Sequence, residues 1–267
     1  MSQIYPTTKE VAHIFITGGA SGIGLQLARD YAGSGCAVTL FDIQPTQGAV
    51  AELSAIPEAG PVRAFAMDVC DPAQVRKVIA EAAAEQGPDL VIHCAGICIA
   101  APFEEISDEA YTRLININLL GSRHVAAAVL PYLQSGSQLA FVASIAGLLG
   151  CYGYSAYCAA KYGVVGLAEV LRIELAPRGI AVSLVCPPEV ETPLVVEERK
   201  NRPKQTETLK LMAGTLPVEY AVEQIRRGID RRRFLIIPGK RARLLWFTNK
   251  LLPGSLTRRL TDFLVSR

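Results

Sequence analysis

Tyr157-Cys-Ala-Ala-Lys161 sets a phenol and an ammonium four residues apart. On a helix that spacing places both on one face. A free tyrosine titrates near ~10, too high to exchange protons readily at neutral pH. A neighbouring cation stabilises the phenolate, and lowering the phenol by about two to three units takes ~3–4 kcal/mol of differential interaction. A proton donor matched to the working pH is what general acid–base catalysis requires. Ser144, 13 residues upstream, has a hydroxyl suited to holding a substrate oxygen beside the phenol. Asn118, in Ile117-Asn-Leu-Leu-Gly121, is suited to positioning a water that relays protons from Lys161. Singly, each has a plain explanation. Tyr-x-x-x-Lys arises by chance, serines cap helices, and asparagines satisfy backbone.

Their order acquires meaning from the run Thr17-Gly-Gly-Ala-Ser-Gly-Ile-Gly24, which follows the apolar stretch His13-Ile-Phe-Ile16. A strand that ends in glycines and opens a helix is a phosphate cradle. The glycines allow a tight turn and close backbone approach, while the helix N-terminus offers free N–H groups and a positive dipole end. With an acidic residue about 20 positions on, the pattern points to a dinucleotide. That residue is Asp42, closing the run Thr39-Leu-Phe-Asp42. Its carboxylate suits both adenosine ribose hydroxyls and would repel a 2′-phosphate; no Arg or Lys stands at positions 20–24 or 43–44 to welcome one. The expected cofactor is therefore NAD rather than NADP. Asp42 capping a turn is the alternative. Asp68 suits the adenine amino group, or caps the next connection.

These residues need a scaffold. Strands are expected at Ile14–Thr17, Ala37–Phe41, Arg63–Met67, Leu90–Cys94, Leu139–Ala143, Ala181–Val185 and Phe234–Ile237. Their apolar runs suit strands covered on both faces. Helical patterns occupy 22–33, 46–55, 72–86, 107–130, 155–176 and 217–228. Asp71-Pro72 reads as a cap followed by proline at the first helical position, and Pro177 as a stop. The repetition predicts an α/β fold, a doubly wound parallel sheet, in one domain. The segment 188–216, rich in Glu, Lys and Thr, falls beyond a strand's carboxyl end; it reads as a lid or as an ordinary polar loop.

Composition narrows the function. Half of the 267 residues are hydrophobic, enough for a large core. No apolar run approaches the ~18 residues of a membrane span. The first residues lack the regions of a signal peptide, and seven scattered cysteines suit free thiols in a reducing compartment, so a cytoplasmic location is expected. A metal on His93, Cys94 and Cys98 finds no second ligand pair of recognisable spacing, and none is expected. Charge is lopsided. Residues 1–225 carry 15 basic and 23 acidic side chains, whereas 226–267 carry 12 basic and 2 acidic. Such a tail suits an anionic surface or an acidic partner subunit; it has no nucleic-acid reader motif.

Over about residues 10–237 the chain resembles the short-chain dehydrogenase/reductase family. The resemblance implies a seven-stranded Rossmann sheet and a catalytic tetrad of Asn118, Ser144, Tyr157 and Lys161. It implies cofactor contacts from Thr17, Gly18, Ser21, Gly22, Ile23, Gly24, Asp42, Asp68, Val69, Ala95, Gly96, Tyr157, Lys161, Val190 and Thr192. The tyrosine would give its proton to a carbonyl as hydride arrives from NADH, or the reverse for an alcohol. A homodimer or homotetramer is implied, joined through the helices after the fourth and fifth strands. Two positions depart from the family pattern. His93-Cys94-Ala95-Gly96 stands where Asn-Asn-Ala-Gly is usual, which would loosen that strand's contact with the catalytic segment. Pro187-Pro188 stands where Pro-Gly is usual, which would stiffen the loop to Val190 and Thr192. The core is expected to span 1–239, lid included.

The chain then continues past the usual family ending through 240–267. Pro253-Gly254 divides this extension into two short helices. In the second, Leu256, Leu260, Phe263 and Leu264 share a face opposite Arg258, Arg259 and Asp262. With Trp246 and Phe247, the extension suits an anionic membrane surface, the substrate cleft or a sister subunit. This ending resembles reductases of lipid-like ketones such as the 3-ketosphinganine reductase branch, which implies a hydrophobic alcohol or ketone as substrate. A non-catalytic redox sensor or scaffold, and an epimerase or dehydratase, are the other readings.

Overall fold

Alternate residues of the central strands feed two different cores. In a computed structural model, which describes residues 11–265 with the side chains of Leu260, Leu264 and Val265 outside the description, seven strands form one parallel sheet. They are β1 (His13–Thr17), β2 (Ala37–Asp42), β3 (Val62–Ala66), β4 (Leu90–His93), β5 (Gln138–Val142), β6 (Ala181–Val185) and, after a small separate ribbon, β9 (Leu235–Ile236). The order is β3-β2-β1-β4-β5-β6-β9, with Thr17 paired to Phe41 and to His93. Side chains alternate across a strand. Phe15, Phe41, Val91, Leu139 and Phe141 therefore enter one core, while Ile14, Ile16, Leu40, Ile92 and Ala140 enter the other.

Helices cover both faces. α1 (Gly22–Ala32), α2 (Gln47–Ser54) and α9 (Val218–Asp230) bury Leu27, Leu53 and Ile225 on one side. α3 (Pro72–Ala83), α5 (Gly121–Val129) and α6 (Ser155–Leu175) bury Ile79, Val129 and Val164 on the other. The Asp71 carboxylate caps α3, accepting from Ala73 N at 2.9 Å and Gln74 N at 3.0 Å, with Pro72 at the first position. Pro177 lies in a 3₁₀ turn directly after α6.

Two segments depart from expectation. The helix expected over 107–130 is α4 (Asp108–Ile115) joined to α5 by a π-helical turn, Asn116–Leu120. Such bulges occur often at functional sites. The segment 188–216 is a built insert rather than an ordinary loop: β7 (Glu189–Val190), α7 (Pro193–Arg199), α8 (Lys204–Ala213) and β8 (Thr215–Leu216). β7 and β8 pair with each other and close the insert at its base. The chain ends in α10 (Lys240–Leu251) and α11 (Gly254–Val265), both packed on α8.

In the extension the apolar side chains Leu256 and Phe263 lie opposite Arg258 and Asp262, as expected. Leu256 and Phe263 are exposed, whereas Arg258 and Asp262 line the central cleft. Leu260 and Leu264 lie outside the described residues. Trp246 is half-buried against the core, so only Phe247 of that pair is free for another surface.

Candidate active site

The carboxyl ends of the strands open into a cleft of ≈ 850 Å³. Its floor is the glycine turn. Gly18 has φ +67°, and a Cβ there would fall 2.7 Å from Ala95 N; a Cβ on Gly24 would fall 2.1 Å from Gly18 O. Only glycine allows Gly18 to sit this close to the segment after β4, and the first turn of α1 this close to Gly18. Gly18 N donates to Phe41 O at 2.8 Å, which ties the turn to β2.

Asp42 stands at the end of β2 and braces this turn. One carboxylate oxygen accepts from Ala20 N at 2.9 Å, the other from Gln44 N at 2.9 Å. The turn-capping alternative thus holds for the carboxylate as folded, and each oxygen keeps a second lone pair facing the cleft. Asp68 caps its own connection, accepting from Cys70 N at 2.8 Å, and also lines the cleft with Val69. Ser21, Gly22, Ile23, Ala95, Gly96, Val190 and Thr192 line it too, with Thr192 lying over Gly22.

Thr17 does not reach the cleft. Its buried hydroxyl is 2.7 Å from His93 Nδ1, linking the ends of β1 and β4. Burial, with the Lys161 charge, holds His93 down at about 3, so the imidazole is neutral. At the His93-Cys94 departure, His93 thus makes a bond between β1 and β4, while its Nε2 is buried without a hydrogen-bond partner. Thr17→Val should leave His93 Nδ1 unpaired and lower stability by about 1–3 kcal/mol, read as a fall in Tm; an unchanged Tm would count against this bond.

Ser144 lies two residues after the end of β5, and Tyr157 and Lys161 occupy the first turns of α6, all three on the cleft wall. Burial raises the Tyr157 phenol above its ordinary value, and the hydrogen bond with Ser144 opposes that rise without cancelling it. Burial lowers Lys161 to about 8. The ammonium stands 5.6 Å from the centre of the Tyr157 ring and donates to Val142 O at 3.0 Å. In this arrangement the ammonium is directed at a carbonyl, and burial is the largest influence on the phenol.

Asn118 sits in the π-helical turn, behind the cleft wall, with both side-chain ends engaged by one residue. Its Oδ1 accepts from Ile97 N at 2.9 Å and its Nδ2 donates to Ile97 O at 2.8 Å. The side chain thereby fixes the loop after β4, and at Gly96 its Oδ1 and the Lys161 ammonium flank the same point, 2.6 Å and 3.6 Å from where a Cβ would stand.

Sequence reasoning missed Tyr154. Its ring lies 5.2 Å from that of Tyr157, its hydroxyl donates to Glu198 at 2.7 Å and it accepts from Lys210 at 2.8 Å. Glu198 and Lys210 belong to a charged cluster inside the insert. Arg202 pairs with Glu198 and, at 2.5 Å, with Glu189; Lys210 reaches Glu189 at 2.6 Å, and Arg199 also pairs with Glu189. Burial alone would raise the Glu189 carboxyl, but hydrogen bonds from Lys210 and Arg199 hold it at about 2. The available signal was Tyr154 three positions before Tyr157 and Glu198 four before Arg202. The rest of the cleft is largely apolar, with Leu148, Leu149, Leu209, Met212 and Leu245. Cys98 and Cys151 also line it; burial pushes both thiols up to about 12, which keeps them protonated.

A doubly wound sheet with a glycine cradle beside a serine, a tyrosine and a lysine defines a class: dinucleotide-binding oxidoreductases of the Rossmann type. The sequence model of the short chain dehydrogenases matches residues 12–203. The chain belongs to the short-chain dehydrogenase/reductase family. Among its relatives, 3-dehydrosphinganine reductase of Danio rerio is 34% identical over 220 residues, covering 79% of this chain and 66% of that protein. 3-Ketodihydrosphingosine reductase of Mus musculus is 33% identical over 222 residues, covering 80% and 67%. The chain thus matches about two thirds of the length of these relatives. The solved structure of levodione reductase, 22% identical, shares the fold with a TM-score of 0.78, over 86% of this chain and 97% of that one.

Proposed function

We propose that this protein is an NAD(H)-dependent reductase of a hydrophobic, long-chain ketone, interconverting it with the secondary alcohol. The observation that carries the proposal is the meeting of Ser144 and Tyr157 with an apolar cleft wall that the C-terminal helices complete. The names of the sphingoid-base reductases among its relatives support a lipid-like ketone.

The residues fit a nicotinamide dinucleotide. A Cβ on Gly18 would strike Ala95 and one on Gly24 would strike Gly18, so only glycine builds this turn, and Gly18, Ser21, Gly22, Ile23 and Gly24 line the cleft. Gly18, Ser21, Gly22, Ile23 and Gly24 would hold the pyrophosphate, Asp42 the adenosine ribose, and Asp68 and Val69 the adenine. Ala95, Gly96, Tyr157, Lys161, Val190 and Thr192 would hold the nicotinamide half. When bound, the cofactor supplies or accepts the hydride. Ser144 orients the carbonyl oxygen, and Tyr157 gives it a proton. A phenol kept protonated by burial is in the form that ketone reduction needs. Lys161, near pH 7 still largely an ammonium, bears on the ribose hydroxyls. Asn118, through Ile97, and Thr17, through His93, position the strand ends beneath them.

In this reading residues 1–239 are the catalytic Rossmann unit, 188–216 its lid and 240–267 its extension. A homodimer or homotetramer would use the helices after β4 and β5, where Leu120, Tyr162, Val170 and Ile173 are exposed.

The test follows reduced-nicotinamide absorbance with NADH and with NADPH against ketones of increasing chain length. Turnover that rises with chain length is expected, with NADH preferred. Cofactor binding without oxidation by any ketone would favour the redox-sensor alternative. Asp42→Ala should lower the ratio of NAD to NADP affinity by about tenfold or more, the loss of a charge-assisted bond. Because Asp42 also braces Ala20, both affinities should fall; an unchanged ratio would refute the ribose contact.

A further inference from the structure

The helices that frame the cleft carry apolar side chains turned to the outside. On α10, Leu244, Phe247 and Leu251 are 63%, 53% and 67% exposed, and their spacing of three and four residues puts them on one face. Lys240, four residues before Leu244, continues that stripe, and Arg243 and Lys250 flank Phe247. On α11, Leu256 and Phe263 are exposed; Arg259, three residues after one and four before the other, borders their face rather than lying opposite with Arg258 and Asp262 as expected. Leu211 and Met212 of α8 and Leu194 and Val196 of α7 are exposed as well. Leu194 and Met212 also line the cleft, so the apolar surface reaches its mouth. Contiguous apolar surface interleaved with cations marks an interaction site.

We propose that α10 and α11, with the lid helices α7 and α8, form a docking surface for an anionic lipid bilayer, placed so that a membrane-borne ketone enters the cleft at Leu194 and Met212. Two observations select this occupant. On α10 and α11 stand Lys240, Arg241, Arg243, Lys250, Arg258 and Arg259 against one carboxylate, Asp262, so this face is complementary to an anionic surface. The exposed apolar residues alternate with Lys and Arg along both helices, as in helices that lie in a headgroup layer. Among the described residues no helix is long and apolar enough to cross a membrane, so contact is through this face rather than a span. The entry route, though not the docking, rests on the ketoreductase reading.

The experiment is co-sedimentation of the full chain with vesicles of phosphatidylcholine alone and of phosphatidylcholine with phosphatidylserine, without substrate. Binding to the anionic vesicles only, weakened by salt, is expected. Phe247→Asp with Leu251→Asp, and separately Lys240→Glu with Arg259→Glu, should each weaken it by about tenfold or more. None of these four residues lines the cleft, so turnover of a short water-soluble ketone should be unchanged in both variants. With a long-chain ketone held in the vesicles, turnover should fall with binding. Equal sedimentation of wild type and both variants would overturn the proposal. So would a concentration-dependent oligomer that the aspartate variant breaks while wild type ignores vesicles, since a second copy would then cover this face. If vesicle binding behaves as expected but no ketone is turned over, the docking stands and the ketoreductase reading fails.

Discussion

Tyr157→Phe is expected to lower ketone turnover by about 10²–10⁴-fold, the usual contribution of a positioned general acid. The substitution removes one hydroxyl from a side chain that is otherwise packed against Tyr154 and the first turn of α6. The ring stays, so the wall keeps its shape. Ser144 still caps its 3₁₀ turn by accepting from Ala146 N at 3.1 Å, and Lys161 still donates to Val142 O. Cofactor affinity, measured by fluorescence titration with NADH, should therefore change little. A variant that keeps its turnover would remove Tyr157 from the chemistry. A variant that loses cofactor binding in parallel would make it structural.

The second large effect is expected at Arg202. Its guanidinium is almost fully buried between Glu189 and Glu198, which are buried too, and it also pairs with Glu207. Arg202→Ala leaves two buried carboxylates sharing Lys210 and Arg199. Breaking a buried pair by removing one partner costs about 3–5 kcal/mol. The loss should fall mainly on the insert, since Glu189, Glu198, Arg199, Arg202, Glu207 and Lys210 all belong to it. Limited proteolysis should cut within 193–213 much faster in the variant, and turnover should fall because Glu198 and Lys210 no longer hold Tyr154 beside Tyr157. Equal cleavage rates would show that the cluster does not hold the insert. The same pairs give a pH dependence of definite sign. Glu189 titrates at about 2 when folded, below the 4.5 of a free glutamate. Its stabilisation is complete above about 4.5 and is lost as pH falls toward 2. Wild-type cleavage within the insert should accelerate over that window, and Arg202→Ala should flatten the dependence.

Much of this was legible in the residues. The seven strands fall within a residue or two of their expected places because each is a short, mostly apolar run, and the central ones β1, β4, β5 and β6 are buried on both faces, a pattern that depends only on local order. The cap at Asp71 and the stop near Pro177 are likewise local. The cleft collects the glycine turn, Ser144, Tyr157 and Lys161 because a doubly wound sheet places everything beyond its carboxyl ends on one rim. The insert was less legible. Its Glu, Lys and Arg residues read as solvated polar chain, and only their pairing across α7, α8 and β7 makes them a buried cluster.

The order of residue types along the chain determined the fold, the rim on which the site sits, and the cradle, because hydrophobic period and glycine placement act over a few neighbouring residues. Tertiary structure alone decided how those groups behave. It turned Asn118 to Ile97, gave Thr17 to His93, buried the Tyr157 phenol, and turned Leu256 and Phe263 outward while Arg258 and Asp262 met the cleft. Desolvation and pairing depend on which distant segments close over a group, and no local pattern carries that information.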